Sequence, residues 1–371
     1  MKRLLYIISA MLLLACAKES FPDVGFEPQP SGYLSEISPA AYVSPSTLPP
    51  GATKALVNVN TVVSMDANAL RIDEKKNNDV GTYEYDSWEQ AYLMEATVAS
   101  SPSLTGLRSI FLNPVQTYDY KPVSQEDTIF YHTRMISWYP RTCTLHKNEQ
   151  GKAAVMKFYD YNALKNNQAY EVQDGKVLLK FKDLDGSKDI MVSNIVEGQH
   201  WHADRGEHGY DIHNGTDTYT YPFGHSNAHP IYSNSMTYRH YMSAVKVYAY
   251  ADDSYQDVAM WGALRKVYVK NQPSDVSVAL PVAMNDPGIS GNVQNNSLDY
   301  GLATFAGDTD FPLLKTPMFG SDMSDPENQE VAEEAPYLVQ GKRVYLGYAL
   351  IKPNVEPGQK LELDVHTDAG V

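Results

Sequence analysis

Histidine is the residue best placed to do chemistry in this 371-residue chain, because seven of its ten copies fall between Leu184 and Asp253. His200 and His202 form an H-x-H pair. On an extended strand residues two apart point the same way, so both imidazoles could hold one divalent cation. His208, His213, His225 and His229 follow, with Asp204, Glu207 and Asp211 as oxygen donors. Against a metal centre stand the intervening glycines and irregular spacing, which match no standard zinc pattern. An exposed polar loop is the competing reading, and a domain junction the third. Tyr210, Tyr219, Tyr221, Phe223 and Tyr232 would give such a loop aromatic faces for stacking on sugars or peptides.

Other reactive groupings are sparse. Asp183, Asp185 and Asp189 are acid–base candidates by type, but they cluster at a turn, where solvated carboxylates are ordinary. There is no phosphate-binding loop, no G-x-S-x-G, no H-E-x-x-H and no dinucleotide fingerprint, so neither an enzyme nor a cofactor is expected. A net charge of −15 argues against nucleic acid, whose phosphates need a concentrated basic face.

Cys16 offers a different chemistry. Lys2 and Arg3 form a positive n-region, Leu4 to Leu14 an apolar run, and Leu13-Leu14-Ala15-Cys16 matches a bacterial lipobox. The run is too short to span a bilayer, so residues 1–16 are expected to be a lipoprotein signal peptide, with lipidation on the Cys16 thiol. Cys143 is then the one cysteine of the mature chain, which excludes an internal disulfide and points to a packed thiol. Residues 17–50 hold seven prolines and many serines and read as an extended linker.

The elements that must position these residues are strands. In Ala55 to Met65, Val57, Val59, Thr61, Val63 and Met65 share one face while Asn58, Asn60 and Ser64 share the other. Further strands are expected at Thr128 to Trp138, Val155 to Tyr159, Lys176 to Phe181, Asp189 to Ile195 and Met242 to Ala251. Ala259 to Val269, Ser274 to Leu280, Arg343 to Ile351 and Leu361 to Val365 complete the series. Asp174-Gly175 is a favoured hairpin pair. Ser87 to Ala96 has the cap and composition of one short helix, and Pro281 to Glu334 reads as long loops. The 27 tyrosines against 10 phenylalanines suit half-buried sheet surfaces. An all-β chain of antiparallel β-sandwich domains follows. The length suggests two in tandem, residues 51–199 and 236–371, joined by a His- and Tyr-rich insert or linker at 200–235.

Three short segments carry a family resemblance. They are Ile136-Ser137-Trp138-Tyr139-Pro140, Asp189-Ile190-Met191-Val192-Ser193-Asn194, and Tyr238-Arg239-His240-Tyr241-Met242-Ser243-Ala244-Val245-Lys246-Val247. With the lipobox, they resemble the fimbrillin-like lipoproteins of Bacteroidetes, the subunits of type V pili. The resemblance implies two tandem transthyretin-like, Greek-key sandwiches, with the second beginning after the DIMVSN segment. The insertion of Gln199 to Ser235 departs from that plan.

The same resemblance implies export as a surface lipoprotein of the outer membrane and incorporation into a fimbrium. A surface protease would cut after an arginine, for which Arg71 is the candidate, and release the strand bearing Val57, Val59, Thr61, Val63 and Met65. A strand from another pilus subunit would then fill the groove, with backbone hydrogen bonds giving affinity and alternate side chains giving register. A permanent first strand followed by an ordinary surface arginine is the alternative. A host or bacterial surface ligand is a further expected partner. The second functional reading is a surface glycan-binding lipoprotein of a polysaccharide-uptake system, although its four tryptophans are dispersed.

Overall fold

The computed structural model describes residues 34–36, 40–43, 64–77, 82–85, 87–100, 108–114, 117–119, 132–199, 211–213, 218–220, 236–250, 260–280, 303–315, 343–353 and 360–370. These residues form an all-β protein, mostly strands in antiparallel sheets with very little helix. Among them no helix is long and apolar enough to cross a membrane.

The first described strands are β1 (Leu34–Glu36), β2 (Ala40–Val43) and β3 (Ser64–Asn77). β3 is buried on both faces from Ala67 to Ile72. Met65, Ala67 and Ala69 point into one apolar core, Leu70 and Ile72 into another. A strand covered on both sides must be built of apolar or small residues with little alternation of polarity, and this stretch is. Asn68 is the polar exception, and its amide is fully used. Nδ2 donates to the carbonyls of Met94 at 3.1 Å and Cys143 at 2.7 Å, and Oδ1 accepts from the N–H groups of Thr142 at 2.9 Å and Cys143 at 2.8 Å.

β4 (Thr82–Tyr85), β5 (Tyr92–Ser100), β6 (Arg108–Asn113), β7 (Thr117–Asp119) and β8 (His132–Tyr139) follow. β3 lies between β5 and β8, antiparallel to both. The helix expected over Ser87 to Ala96 does not form; a 3-10 turn at Trp88–Gln90 leads directly into β5. Leu93 faces one core while Met94, Ala96 and Val98 face the other. The burial available to a strand beside β3 outweighs a local capping signal.

β9 (Met156–Lys157) is far shorter than the strand expected there, because the helix α1 (Phe158–Leu164) starts at once and buries Phe158 and Tyr161. β10 (Tyr170–Gln173) and β11 (Lys176–Phe181) form the expected hairpin, antiparallel and in register. Its two turn residues, Asp174 at φ 51 and Gly175 at φ 73, have the left-handed backbone that such a turn requires. β12 (Met191–Ser193), β13 (Val196–Gln199), β14 (Asp211–His213) and β15 (Thr218–Thr220) come next.

The remaining strands are β16 (Met236–His240), β17 (Ser243–Tyr250), β18 (Leu264–Gln272), β19 (Asp275–Ala279), β20 (Ala303–Ala306), β21 (Thr309–Pro312), β22 (Arg343–Ile351) and β23 (Leu363–Thr367). β20 and β21 lie inside the stretch expected to be long loops, and both are paired, with β19 and β18 respectively.

Pairing crosses the middle of the chain. β16 is antiparallel to β12 and parallel to β2, and β19 is antiparallel to β11. Val276 and Val278 join Val177, Leu179 and Phe181 in the core to which Leu70, Leu93, Ile136 and Trp138 also belong. Strands from 51–199 and from 236–371 therefore share sheets and a core. Each such fully buried side chain contributes about 1.5–3 kcal/mol by leaving water.

Candidate functional site

The segments that carry the family resemblance meet in space. Met191 opposes His240, Val192 opposes Arg239 and Ser193 opposes Tyr238 across β12 and β16, and β8 flanks β12 on its other edge. A buried chain of hydroxyls ties the strands. Tyr238 donates to Ser137 Oγ at 2.6 Å, Ser137 Oγ donates to the Asn68 carbonyl at 2.6 Å, and the Ser137 N–H donates to Ser193 Oγ at 2.9 Å. Burial pushes the Tyr238 phenol well above its ordinary range, so it stays a donor.

Asp189 sits just ahead of β12, and its Oδ2 lies 2.7 Å from His240 Nδ1. Expected to be solvated at a turn, it is buried at 5 % exposure. Burial raises its carboxyl pKa, opposed by the hydrogen bond and charge of His240. Among the described residues Asp189 Oδ1 and His240 Nε2 have no hydrogen-bond partner. Both are enclosed, and the pair joins the lead-in of β12 to the end of β16. Asp183 is exposed at φ 53. Asp185 accepts bonds from the Ser187 N–H and hydroxyl. Burial raises the Asp185 carboxyl, but those two bonds and Lys188 more than offset it and hold its pKa low.

A second arrangement involves β18, β21 and β22. β18 is the middle strand of a three-stranded sheet, with β23 along one edge from Leu264 to Val269. On the other edge β21 covers only Tyr268 to Gln272. After β21 the Leu313 N–H bonds the Val267 carbonyl at 3.0 Å, and the chain then crosses to β22. Leu314 N–H donates to the Tyr348 carbonyl at 2.7 Å and Tyr348 N–H to the Leu314 carbonyl at 3.1 Å. The register of β21 with β18 runs from Tyr268 to Gln272, and β22 pairs with β17 from Arg343 to Ile351.

A cavity of about 230 Å³ lies between β18, the exit of β21 and β22, and Leu264, Val267, Leu313 and Leu346 are apolar residues of its lining. Arg265, Lys266 and Lys315 bring positive charge to it, and none of its lining residues is acidic. A shift of register between Leu264 and Lys266 accounts for two successive exposed cations on one strand. Gly347 permits the crossing: at φ 131, a Cβ there would lie 2.5 Å from the Leu314 carbonyl oxygen. This slot combines apolar and basic side chains in its lining.

The residues singled out from sequence fare differently. Cys16, Val57, Val59, Thr61, Val63, His200 and His202 lie outside the described residues. Met65 is buried in β3 and faces a core. Arg71 stands in mid-strand, opposite Tyr92 on one side and Met135 on the other, at 8 % exposure. It is not on a surface loop, where a protease finds its substrates, because β3 runs on as one strand to Asn77. Cys143 is the packed thiol expected, with burial pushing its pKa up to about 12. Among the described residues no group of three or more His, Cys, Asp or Glu could hold a metal ion. The slot was not foreseen; the adjacent Arg265 and Lys266 in an otherwise alternating strand were its one local signal.

No family model matches this chain, and neither a curated protein nor a solved structure matches it.

Proposed function

We propose that the protein is a structural or tip subunit of a fimbrium of the type V kind, a surface lipoprotein that assembles by β-strand exchange and mediates adhesion. The observation that carries this reading is the slot between β18 and β22. A strand edge is a template for another chain, and β21 runs along β18 only from Tyr268 to Gln272. Apolar side chains line the slot, which suits an incoming strand that bonds through its backbone and seats alternate side chains. On this reading the two halves are tandem antiparallel sandwiches of transthyretin-like, Greek-key form that share the β11–β19 and β12–β16 seams. Cys16 carries the lipid that holds the subunit at the outer membrane.

Processing after Arg71 has less support, because the bond concerned lies within a doubly paired strand. Release of Met65 and the residues before it requires β3 to open first.

Assembly of the lipidated full-length protein is the test. Electron microscopy and size-exclusion chromatography should show fibres or ladders for the wild type. A Leu346→Arg variant, which places a charge in the slot, should stay monomeric and folded. Monomers that bind a polysaccharide and never polymerise would overturn the reading in favour of a glycan-binding lipoprotein. Tyr248 and Tyr345, ring centroids 5.2 Å apart with Arg343 over the Tyr248 ring, are the aromatic surface such a protein would use.

A further inference from the structure

We infer that Asn162 plugs the outer edge of β10 and so keeps a second copy of this chain from joining the four-stranded sheet there. That edge belongs to a different sheet from the slot between β18 and β22, and the plug works whether or not the slot accepts a strand.

β10 is the end strand of the sheet β10-β11-β19-β20, paired with β11 along one edge. Among the described residues no strand lies along its other edge. What meets that edge is a side chain. Asn162 Oδ1 accepts from the N–H groups of Ala169 at 3.0 Å and Tyr170 at 3.1 Å, and Nδ2 donates to the Tyr170 carbonyl at 3.2 Å. A carboxamide carries the donor and acceptor of a peptide group, so Asn162 gives Tyr170 the two bonds that a neighbouring strand would give.

The local sequence aims it there. Asn166 and Asn167 follow α1 at left-handed φ values of 53 and 59, a backbone that asparagine tolerates, and the Asn167 N–H bonds the Asn162 carbonyl at 2.8 Å. Nδ2 also donates to Asn167 Oδ1 at 2.9 Å, and Asn162 is 4 % exposed, so the carboxamide is held in place.

Successive residues of a strand turn their backbone groups to opposite edges, which puts the N–H and C=O of Val172 on the same edge as those of Tyr170. A second copy offers the same two residues. In antiparallel pairing about Glu171, Tyr170 of each copy bonds Val172 of the other, a two-fold contact in which both steps of the ladder need a free Tyr170. The two Glu171 carboxylates that then face each other are each paired with Lys180 at 2.8 Å, which offsets their repulsion. Asn162 occupies Tyr170 on both copies, so both steps fail at once. Covering an edge in this way is how a sheet is kept from growing by unwanted strands.

Sedimentation velocity of the full chain is the test, run with and without Leu346→Arg so that assembly at the slot is told apart. Asn162→Ala should self-associate at least about tenfold more tightly than the wild type, shifting toward a dimer as concentration rises. Adding Val172→Pro should restore the wild-type behaviour, because proline removes the outward N–H that the pairing needs and leaves the ladder to β11 whole. Asn162→Asp keeps both acceptances but loses the donation to the Tyr170 carbonyl, so it should fall between the two and reads the plug should Asn162→Ala not fold. Variants of Asn162 that melt earlier yet associate no more than the wild type would make this residue a structural cap alone and overturn the plug. Association that survives Val172→Pro would put the contact elsewhere and overturn it too.

Discussion

Asp189 and His240 are 51 residues apart in the chain and 2.7 Å apart in the fold, an enclosed pair that fastens the lead-in of β12 to the end of β16. The seam they close joins the two halves of the sequence. His240→Ala would leave the Asp189 carboxyl buried without a partner and should lower stability by about 1–3 kcal/mol. Asp189→Asn keeps an acceptor for the ring nitrogen and should cost less. Urea denaturation of both variants measures the difference.

The same carboxyl makes a pH prediction. Its folded pKa is raised above the ordinary 3.8, so between the two values the native state holds more protons than the unfolded chain. The contribution of Asp189 to stability is therefore full below 3.8 and falls as pH rises through the raised value. The stability of the wild type relative to Asp189→Asn should decline in that window. A difference that grows with pH would contradict the burial argument.

Asn68 ties β3 to β5 and to the segment after β8 through four hydrogen bonds to backbone groups. Asn68→Ala strips all four, and the loss should be about 3 kcal/mol or more, since buried backbone groups are left without partners. Asn68→Asp should fare no better, because it replaces the two donations with acceptor repulsion in an enclosed site. Thermal unfolding of the two variants beside Asn68→Ser gives the ranking.

Leu314, just after β21, passes close to Gly347 of β22. Gly347→Ala adds a Cβ 2.5 Å from the Leu314 carbonyl oxygen at a left-handed φ of 131. We expect a loss of about 1–3 kcal/mol together with a changed slot, because Leu313 and Leu314 must shift. Gly175→Ala is the control: it shares a positive φ but has open space around it, and should cost only about 1 kcal/mol. Equal losses would mean that the close approach is not what matters at Gly347.

Arg71 should resist an arginine-specific protease in the native protein. Its strand is paired on both edges, so the bond after it becomes cleavable only when β3 opens. Mass spectrometry of the fragments should show no cut after Arg71 in buffer and a cut that grows with sub-denaturing urea. Rapid cleavage in buffer would mean that β3 leaves its place easily, and would restore Arg71 as a processing site.

Much of the secondary structure could be read locally. Alternation in Ser274 to Leu280, the Asp174-Gly175 turn and the run from Arg343 to Ile351 placed strands where they stand, because side-chain period and turn chemistry act within a few residues. Where the sequence is ambiguous, as at Ser87 to Ala96, burial against β3 chose strand over helix. By itself the sequence determined an all-β chain and an acidic one. The depth of Arg71, the meeting of Asp189 with His240 and the open slot between β18 and β22 were decided only by tertiary structure. Each depends on which strands become neighbours, and neighbours far apart in the chain are selected by the fit of whole faces, which no local spacing records.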